Sequence, residues 1–351
     1  MASKRQIRIG KLPIGGGAPV VVQSMTNTTT GDVAATLDQV QRLVAAGCEL
    51  VRVALPSAEE VDAFAEVVEH APVPIVADIH FDWRLAIAAL ERGAACVRIN
   101  PGTIGSDQHV KAIGEAAQEH GAALRIGVNS GSLPKDLRER ARRDAPGALV
   151  ETALRHAEQL EAWGFSEYKL SVKSSSVPDT IAAYRLLAER SDAPLHVGVT
   201  EAGTVWRGTV KSAVGIGALL AEGIGDTTRV SLTGDPVEEV RAAWAILEAL
   251  ELRRRGPNLI SCPTCGRTEV DLVSLADEVE RRLQAYTAPI SVAVMGCRVN
   301  GPQEARHADF GIAAGSGDGV VFAHGDQVAT VPEGELVERL FELIEESASL
   351  T

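Results

Sequence analysis

The sequence predicts an α/β protein, a (β/α)8 TIM barrel followed by a small α+β domain. Short β-branched segments alternate with Ala/Leu/Glu-rich segments of helical period over roughly 250 residues, the size and rhythm of such a barrel. The full chain has 351 residues, more than one hydrophobic core usually organises. Gly256 and Pro257 end the last helical segment, so the barrel is assigned to residues 1–256 and the second domain to 257–351. A doubly wound open sheet is the alternative for the same alternation.

The elements follow from local composition and period. Strands are predicted at residues 20–23, 50–53, 75–78, 96–99, 124–128, 168–172, 195–199 and 229–232. Helices are predicted at residues 33–46, 58–69, 107–120, 147–163, 177–189, 212–222 and 236–252. Residues 6–14 are expected to form a hairpin that closes the bottom of the barrel. The second domain is expected to hold helices at 271–286 and from 333 onward, with strands near 291–295, 311–312, 319–322 and 328–330.

Composition excludes several function classes. The formal net charge of −13 argues against nucleic acid as a partner, because phosphate backbones are bound by clustered basic residues. The sequence has neither a long apolar run nor the apolar core of a signal peptide, so we expect a cytoplasmic protein that does not bind membranes. Five cysteines, an odd number, fit reduced thiols or metal ligands better than a disulfide framework.

The phase of the predicted strands places polar and charged residues inside the barrel. Side chains alternate between the two faces of a strand, so Val97 and Ile99 should face the helices while Arg98 and Asn100 face the interior or its mouth. The same phase applies to Arg52, Asp78, His80, Arg125, Gly127, Asn129, Lys169, Ser171, Lys173, Arg229 and Ser231. Buried cations need an anionic partner, which predicts a polyanionic ligand at the carboxyl ends of the strands. Alternatively, these cations form stabilising networks with Asp78 and Glu201.

Three cysteines have the spacing of a metal or cluster site. Cys262 and Cys265 form a C-x2-C pair, and Cys297 follows after a predicted helix. Three thiolates can hold a [4Fe-4S] cluster and leave one iron for an exchangeable ligand, for which Glu304 is a candidate. Structural zinc, with His307 as fourth ligand, and unligated thiols remain alternatives. Cys48 and Cys96 lie in helix and strand contexts and are expected to be packing residues.

The chain also resembles the bacterial 4-hydroxy-3-methylbut-2-enyl diphosphate synthases, which depend on flavodoxin or ferredoxin. The resemblance covers essentially the whole chain. It rests on the order and spacing of segments 22–27 (VQSMTN), 76–82 (VADIHFD), 98–102 (RINPG), 125–129 (RIGVN), 131–133 (GSL), 171–173 (SVK), 200–203 (TEAG), 211–213 (KSA), 223–226 (GIGD) and 261–265 (SCPTC).

This resemblance implies a function and a set of roles. The family reductively opens 2-C-methyl-D-erythritol 2,4-cyclodiphosphate in isoprenoid precursor synthesis and removes one hydroxyl as water. The residues implied to bind the diphosphate are Arg52, Arg98, Asn100, Arg125, Asn129, Lys173 and Ser231. Glu201 is implied to be the catalytic proton donor, and Cys262, Cys265, Cys297 and Glu304 the ligands of a [4Fe-4S] cluster. The family also implies a head-to-tail homodimer, in which the cluster domain of one subunit caps the barrel of the other.

The departures from the family pattern lie near the implied cluster. Residues 296–304 read GCRVNGPQE where the family usually reads GCVVNGPGE, so Arg298 and Gln303 are unusual. Asp318 stands where the family usually has Lys. Such neighbours tune potential and solvent access, which leaves open a paralogue acting on a related diphosphate. A non-catalytic iron–sulfur carrier or sensor and a zinc-dependent barrel enzyme are further alternatives. Arg253, Arg254 and Arg255 form a basic helix end that could dock an acidic flavodoxin or simply be solvated.

Overall fold

The computed structural model describes residues 3–100, 102–297 and 301–348. These residues divide into two compact units, Met1–Arg253 and Arg254–Thr351. Each unit has its own apolar core, and each is described by itself.

The first unit is a barrel of eight parallel strands, as the sequence predicts. A hairpin of β1 (Gln6–Ile9) and β2 (Leu12–Gly15) precedes it. The barrel strands are β3 (Val21–Met25), β4 (Leu50–Ala54), β5 (Ile75–Asp78), β6 (Cys96–Ile99), β7 (Ala123–Asn129), β8 (Tyr168–Lys173), β9 (His196–Val197) and β10 (Thr227–Thr228). They pair in the order β8-β7-β6-β5-β4-β3-β10-β9. A parallel bridge between Leu170 and Leu195 joins the two ends of that order and closes the barrel.

Helices follow the strands and cover the outside of the barrel. They are α1 (Val33–Ala45), α2 (Val61–His70), α3 (Trp83–Glu91), α4 (Asp107–Glu119), α5 (Arg138–Ala141), α6 (Ala145–Ala162), α7 (Val177–Arg190), α8 (Val205–Ala221) and α9 (Pro236–Ala249). Several begin at side-chain caps: Asp32 accepts from the Ala35 amide and Ser176 from the Asp179 amide, which satisfies N–H groups that the first turn leaves without partners. The outward residues of the strands, Val97 and Ile99 among them, form the core against these helices. The predicted phase is therefore confirmed.

The hairpin β1–β2 closes the amino end of the barrel, as predicted. Its residues Ile7, Ile9 and Ile14 are buried in a separate apolar cluster. The inward residues at the start of the strands complete that cluster: Val21, Leu50, Val76, Cys96 and Ala123. The bottom of the barrel interior is thus apolar, and the charged residues lie nearer the carboxyl ends.

Two predicted boundaries are wrong. The last barrel strand is predicted at residues 229–232, but the strand observed in the sheet is Thr227–Thr228. Beyond it the chain turns away from the sheet, and the Leu232 amide donates to the Glu239 carboxylate. The helix predicted at 212–222 in fact begins at Val205. The sequence did not predict its first turns because an apolar residue there, Trp206, is exposed and interrupts the amphipathic period that marks a surface helix.

The second unit is a small α+β domain. Its elements are β11 (Asn258–Ser261), α10 (Leu272–Leu283), β12 (Ser291–Met295), α11 (Gly301–Ala305), β13 (Phe310–Ala314), β14 (Asp318–Ala323), β15 (Asp326–Pro332) and α12 (Leu336–Ala348). The five strands form one sheet in sequence order, with β11, β12 and β13 parallel and the last two pairings antiparallel. The sequence did not predict β11 or α11. Leu340, Phe341 and Ile344 of α12 pack on this sheet.

Candidate active site

Four of the predicted cations point into the barrel above the apolar cluster at its amino end. They are Arg52 on β4, Arg98 on β6, Arg125 on β7 and Lys173 on β8, and all four side chains are buried. Sequence phase predicted each of them on this face. The structure therefore brings the four predicted substrate-binding cations together.

Asp78 is the carboxylate that two of these cations, Arg52 and Arg98, share. Its Oδ1 accepts a hydrogen bond from Arg98 Nη1 at 3.4 Å, and its Oδ2 lies 3.9 Å from Arg52 Nε and 3.2 Å from His80 Nε2. Burial by itself raises the pKa of Asp78, but Arg52, His80 and Arg98 outweigh burial and hold it well below its usual range. Asp78 is therefore ionised, as one negative charge among several positive ones.

The positive charge exceeds what Asp78 can balance. Burial lowers the pKa of Arg52 to about 10 and lowers that of Arg125 and Lys173 well below their ordinary values, and the neighbouring cations act in the same direction. Within the described residues, Arg125 Nε and Nη1 and Arg98 Nε have no hydrogen-bond partner. Since arginine keeps its proton in proteins, the site is stabilised when an anion enters and accepts these bonds.

Two glycines make room for the cations. A Cβ at Gly127 would lie 2.8 Å from Arg98 Nε, and a Cβ at Gly198 would lie 2.7 Å from Lys173 Nζ. A side chain at Gly127 would displace the Arg98 guanidinium, and one at Gly198 would also clash with the Arg229 carbonyl, 2.6 Å from the Cβ position. The requirement for Gly198 was not recognised from the sequence, because it depends on a contact between strands.

The remaining predicted substrate-binding residues lie at the rim. Asn129 ends β7 directly opposite Lys173 in the register, and Ser231 follows β10. Asn100 follows β6 and is buried, and its Oδ1 accepts a hydrogen bond from the Gly102 amide at 3.1 Å. That bond holds the turn after β6 and leaves the Asn100 amide NH2 as a donor.

Glu201 lies in the loop between β9 and α8, on the same side of the barrel. Its side chain is exposed, and its φ of 52° is in the left-handed region, which is unfavourable for a residue with a Cβ. The Thr200 amide donates to the Ser174 carbonyl at 3.3 Å, which ties the loop to the end of β8. The backbone at Glu201 is thus held in a specific conformation where an acid could reach a ligand at the mouth.

Sequence reasoning missed Met25, which contacts Arg52, and did not predict Arg229 as a substrate contact. Met25 Sδ lies 3.0 Å from Arg52 Nε and 2.8 Å from its Nη2, and Met25 is in the inward phase of β3. Arg229 had the predicted inward phase but was not among the predicted substrate contacts. It pairs with Glu239 of α9, with Nη2 and Oε1 3.0 Å apart.

Arg253 forms an ion pair and a cation–π contact within the barrel unit. Its Nη1 donates to a Glu49 carboxylate oxygen at 2.7 Å, and its guanidinium stacks over the Trp244 ring. This corrects the view of Arg253 as a solvated or partner-docking residue, because its charge is already paired.

In the second unit, Cys262 and Cys297 lie where two parallel strands of the sheet end. Cys262 follows β11 and Cys297 lies just beyond β12, and these strands are parallel, with Ser261 opposite Val294. The Gly296 amide donates to Cys262 Sγ at 3.4 Å. The carboxyl ends of the two parallel strands therefore place both thiols on the same side.

Cys265 and Glu304 come from segments that are joined to these strand ends. The Glu269 amide donates to the Gly296 carbonyl at 3.0 Å, which connects the exposed turn of Cys265 to the end of β12. Hydrogen bonds from Arg267 lower the pKa of the Cys265 thiol. Glu304 is exposed on α11, whose Gly301 approaches Met295 so closely that a Cβ there would lie 3.0 Å from Met295 Cβ.

Three thiols and one carboxylate are donors of the kind that an iron–sulfur cluster takes, and two of the thiols, Cys262 and Cys297, follow the ends of parallel strands. Among the described residues, no three His, Cys, Asp or Glu side chains are grouped closely enough to hold a metal ion. Of the unusual residues, Gln303 lies on α11 and Asp318 begins β14, whereas Arg298 is outside the described residues.

Comparison with known proteins gives matches over nearly the whole chain. A family model for the GcpE TIM-barrel domain matches residues 4–244, and one for the GcpE protein C-terminal domain matches residues 258–346. A 4-hydroxy-3-methylbut-2-en-1-yl diphosphate synthase (flavodoxin) of Geobacter sulfurreducens is 53% identical over 344 residues, 98% of each chain. The protein of that name from Aquifex aeolicus is 52% identical over 341 residues, 97% of this chain and 96% of its own.

Solved structures support the barrel fold. A dihydropteroate synthase of Xanthomonas albilineans matches with a TM-score of 0.51 and 14% identity, over 72% of this chain and 99% of its own. A 3-dehydroquinate dehydratase of Geobacillus kaustophilus matches with a TM-score of 0.50 and 16% identity, over 71% of this chain and 99% of its own. In the part of the chain that the structure describes, no helix is long and apolar enough to span a bilayer.

Proposed function

The chain belongs to the GcpE family, and from that premise we propose how its residues carry out the family's reaction. The enzyme is an oxidoreductase that converts 2-C-methyl-D-erythritol 2,4-cyclodiphosphate to (E)-4-hydroxy-3-methylbut-2-enyl diphosphate. The ring is opened at a carbon–oxygen bond and a hydroxyl leaves as water. Written for the fully protonated acids, the reaction takes up two electrons and two protons.

The observation that carries this assignment is the buried excess of positive charge at the barrel mouth. Arg98 and Arg125 have N–H groups without partners within the described residues, and a cyclic diphosphate offers oxygens that accept such bonds. The predicted contacts to the diphosphate are Arg52, Arg98, Asn100, Arg125, Asn129, Lys173 and Ser231. An electron carrier or sensor binds no diphosphate substrate and would not require these residues.

Glu201 is proposed as the catalytic acid. It lies on the loop above the ends of β8 and β9, with a carboxyl group that is exposed in the free protein. Bound substrate would cover this loop and place the leaving hydroxyl within reach of the Glu201 carboxyl, which gives it a proton.

We propose that Cys262, Cys265, Cys297 and Glu304 hold a [4Fe-4S] cluster. The carboxylate would be the exchangeable ligand, since it binds iron less firmly than the three thiolates. When bound, the cluster would supply the two electrons of the reduction, one at a time. Flavodoxin is the proposed physiological donor, in keeping with the names of the relatives, with ferredoxin as the other small acidic carrier.

A head-to-tail homodimer is proposed as the active form. In this arrangement the cluster unit of one subunit covers the barrel mouth of its partner, so each site uses residues of two chains. The family resemblance supports this arrangement.

The function is tested by anaerobic cluster reconstitution and an assay with dithionite and the cyclic diphosphate. Wild type is expected to form the allylic diphosphate, and Glu201→Gln and Cys297→Ser to lose that activity. Glu251→Gln is the matched control, because Glu251 is also an exposed glutamate with a left-handed φ of 55°. A wild-type protein with a full cluster and no turnover would overturn the proposal.

The dimer is tested by mixing two variants, Arg125→Met and Cys297→Ser, at a substrate concentration near the wild-type Kd, where Arg125→Met alone binds little substrate. If each site combines one subunit's barrel with its partner's cluster, heterodimers contain one intact site and the mixture regains activity. If each site lies within one chain, every heterodimer site is defective and the mixture stays inactive.

A further inference from the structure

Glu239 is a buried carboxylate on α9 whose two oxygens accept bonds from three residues, Ser24 of β3 and Arg229 and Leu232 of the segment after β10. Oε2 accepts from Arg229 Nε at 3.1 Å and from Ser24 Oγ at 2.9 Å. Oε1 accepts from Arg229 Nη2 and from the Leu232 amide, each at 3.0 Å. Glu239 is only 3% exposed, so these bonds replace the water that the carboxylate lost on folding.

These bonds fix the middle of a segment whose ends are held by backbone bonds, from the Arg229 amide to the Val197 carbonyl at 3.1 Å and from the Thr233 amide to the Gly203 carbonyl at 2.9 Å. The chain leaves the ladder after Thr228, and beyond Arg229 the Leu232 amide bonds to Glu239 rather than to a neighbouring strand. The peptide next to Ser231, a proposed substrate contact, is thereby held by Glu239.

Arg229 also belongs to the cation array at the barrel mouth. Its charge contributes to the lowered pKa of Arg52 and of Lys173, after the larger effect of burial. A guanidinium has five N–H donors, and the pair with Glu239 uses two of them, on one edge of the fork. The other three keep a defined direction because the fork is planar and held along that edge.

We infer that Glu239 is a positioning residue for the diphosphate site, acting through the Arg229 guanidinium and the peptide that follows Ser231. This inference rests on the proposed function. Glu239 itself projects from α9 toward Ser24 of β3 and Arg229, and does not contact the substrate. Its effect is to keep donors aimed at the phosphates, so its removal weakens substrate binding while the electron transfer and proton donation continue.

The primary test is Glu239→Gln, which keeps the shape but replaces one acceptor oxygen by a donor facing Arg229. We expect KM for the cyclic diphosphate, and its calorimetric Kd with the reconstituted enzyme, to rise about 10- to 100-fold, by analogy with the loss of affinity when the partner that orients a metal ligand is removed. The kcat value should change by less than about threefold, since the donors that Glu239 orients bind the diphosphate equally well in the bound substrate and in the transition state.

The matched control is Asp226→Asn. Asp226 is equally buried and directly precedes the same strand, but at the opposite end of the barrel, where it accepts from the Leu195 amide at 2.7 Å and from Ser3 Oγ at 2.8 Å. This variant should lose thermal stability and keep the wild-type KM.

A second variant guards against a Glu239→Gln protein that fails to fold. Arg229→Lys keeps a cation beside the buried carboxylate but loses the planar fork, and its KM should rise while kcat is kept. The inference is overturned if Glu239→Gln or Arg229→Lys binds substrate like wild type, whatever its stability. If wild type itself neither binds nor converts the substrate, the proposed function fails first, and the inference fails with it.

Discussion

The Asp78 carboxylate and the Arg98 guanidinium meet at 3.4 Å inside the barrel, both almost completely buried. They come from adjacent parallel strands, where Asp78 and Arg98 are direct neighbours in the register. Asp78 also lies within 3.9 Å of Arg52, so one acid moderates the repulsion between two cations of the site. The stability of the free protein and its affinity for an anion therefore depend on the same few charges.

Replacing Asp78 by Asn should lower the free energy of unfolding by about 3–5 kcal/mol at neutral pH, the usual cost of breaking a buried ion pair. The folded-state pKa of Asp78 is depressed, so this contribution is present above the unfolded pKa and is lost as the pH falls through the folded value. Urea denaturation at several pH values measures it. Asp62→Asn is the control, since the Asp62–Arg92 pair is exposed and should change stability by less than about 0.5 kcal/mol.

Arg125→Met should have opposite effects on stability and binding. Removing a buried cation with two unpartnered N–H groups should leave the free protein as stable as wild type, or more stable by about 1–4 kcal/mol. Substrate affinity should fall about 30-fold or more, because the phosphate no longer accepts a buried charge-assisted hydrogen bond. Thermal unfolding and calorimetric titration test the two halves separately. A variant that loses stability while keeping its affinity would contradict the proposed role, and Arg185→Met, on an exposed pair, serves as the control.

Cys262→Ser should reduce the iron content after anaerobic reconstitution from about four atoms per chain to well below that value, with loss of the brown colour. Cys48→Ala should keep both. Cys48 is buried in the barrel core, and burial raises the pKa of its thiol to about 12, which makes it a poor metal ligand. Iron analysis and visible spectra decide the matter. Equal iron in the two variants would remove Cys262 from the ligand set.

Lys169 should make stability rise with pH. It is fully buried, its Nζ donates to Thr227 Oγ1 at 3.2 Å, and burial lowers the pKa of Lys169 to about 7. The unfolded chain keeps this proton up to about pH 10.4, so between about pH 7 and 10.4 it binds more protons than the folded protein. Folding is therefore favoured as pH rises through this window, by at most about 1.4 kcal/mol per pH unit.

The measurement is the difference in unfolding free energy between wild type and Lys169→Met from pH 7 to 9. Wild type should gain on the variant with increasing pH. For Lys111→Met, which removes a half-exposed surface lysine, the unfolding free energy should change with pH in the same way as that of wild type. Parallel curves for Lys169→Met as well would mean that Lys169 keeps its proton in the folded barrel.

Local pattern was sufficient to predict much of this protein. The alternation of strands and helices indicated the barrel, and the period of two along β6, β7 and β8 placed Arg98, Arg125 and Lys173 on the inner face. Both conclusions depend only on the geometry of single strands, in which neighbouring side chains point to opposite faces. The same local reasoning failed for α8, where an exposed Trp206 obscured the helical period.

Tertiary structure alone decided which charges meet. Asp78 pairs with Arg98 because β5 and β6 are adjacent in register, and Glu239 reaches Arg229 because α9 packs beside the point where the chain leaves β10. The need for glycine at 198 likewise follows from the approach of the Arg229 carbonyl and the Lys173 ammonium from the two neighbouring strand ends. Such contacts join residues far apart in sequence. The sequence determined which residues face the interior, but distances between strands and helices exist only once the barrel has closed.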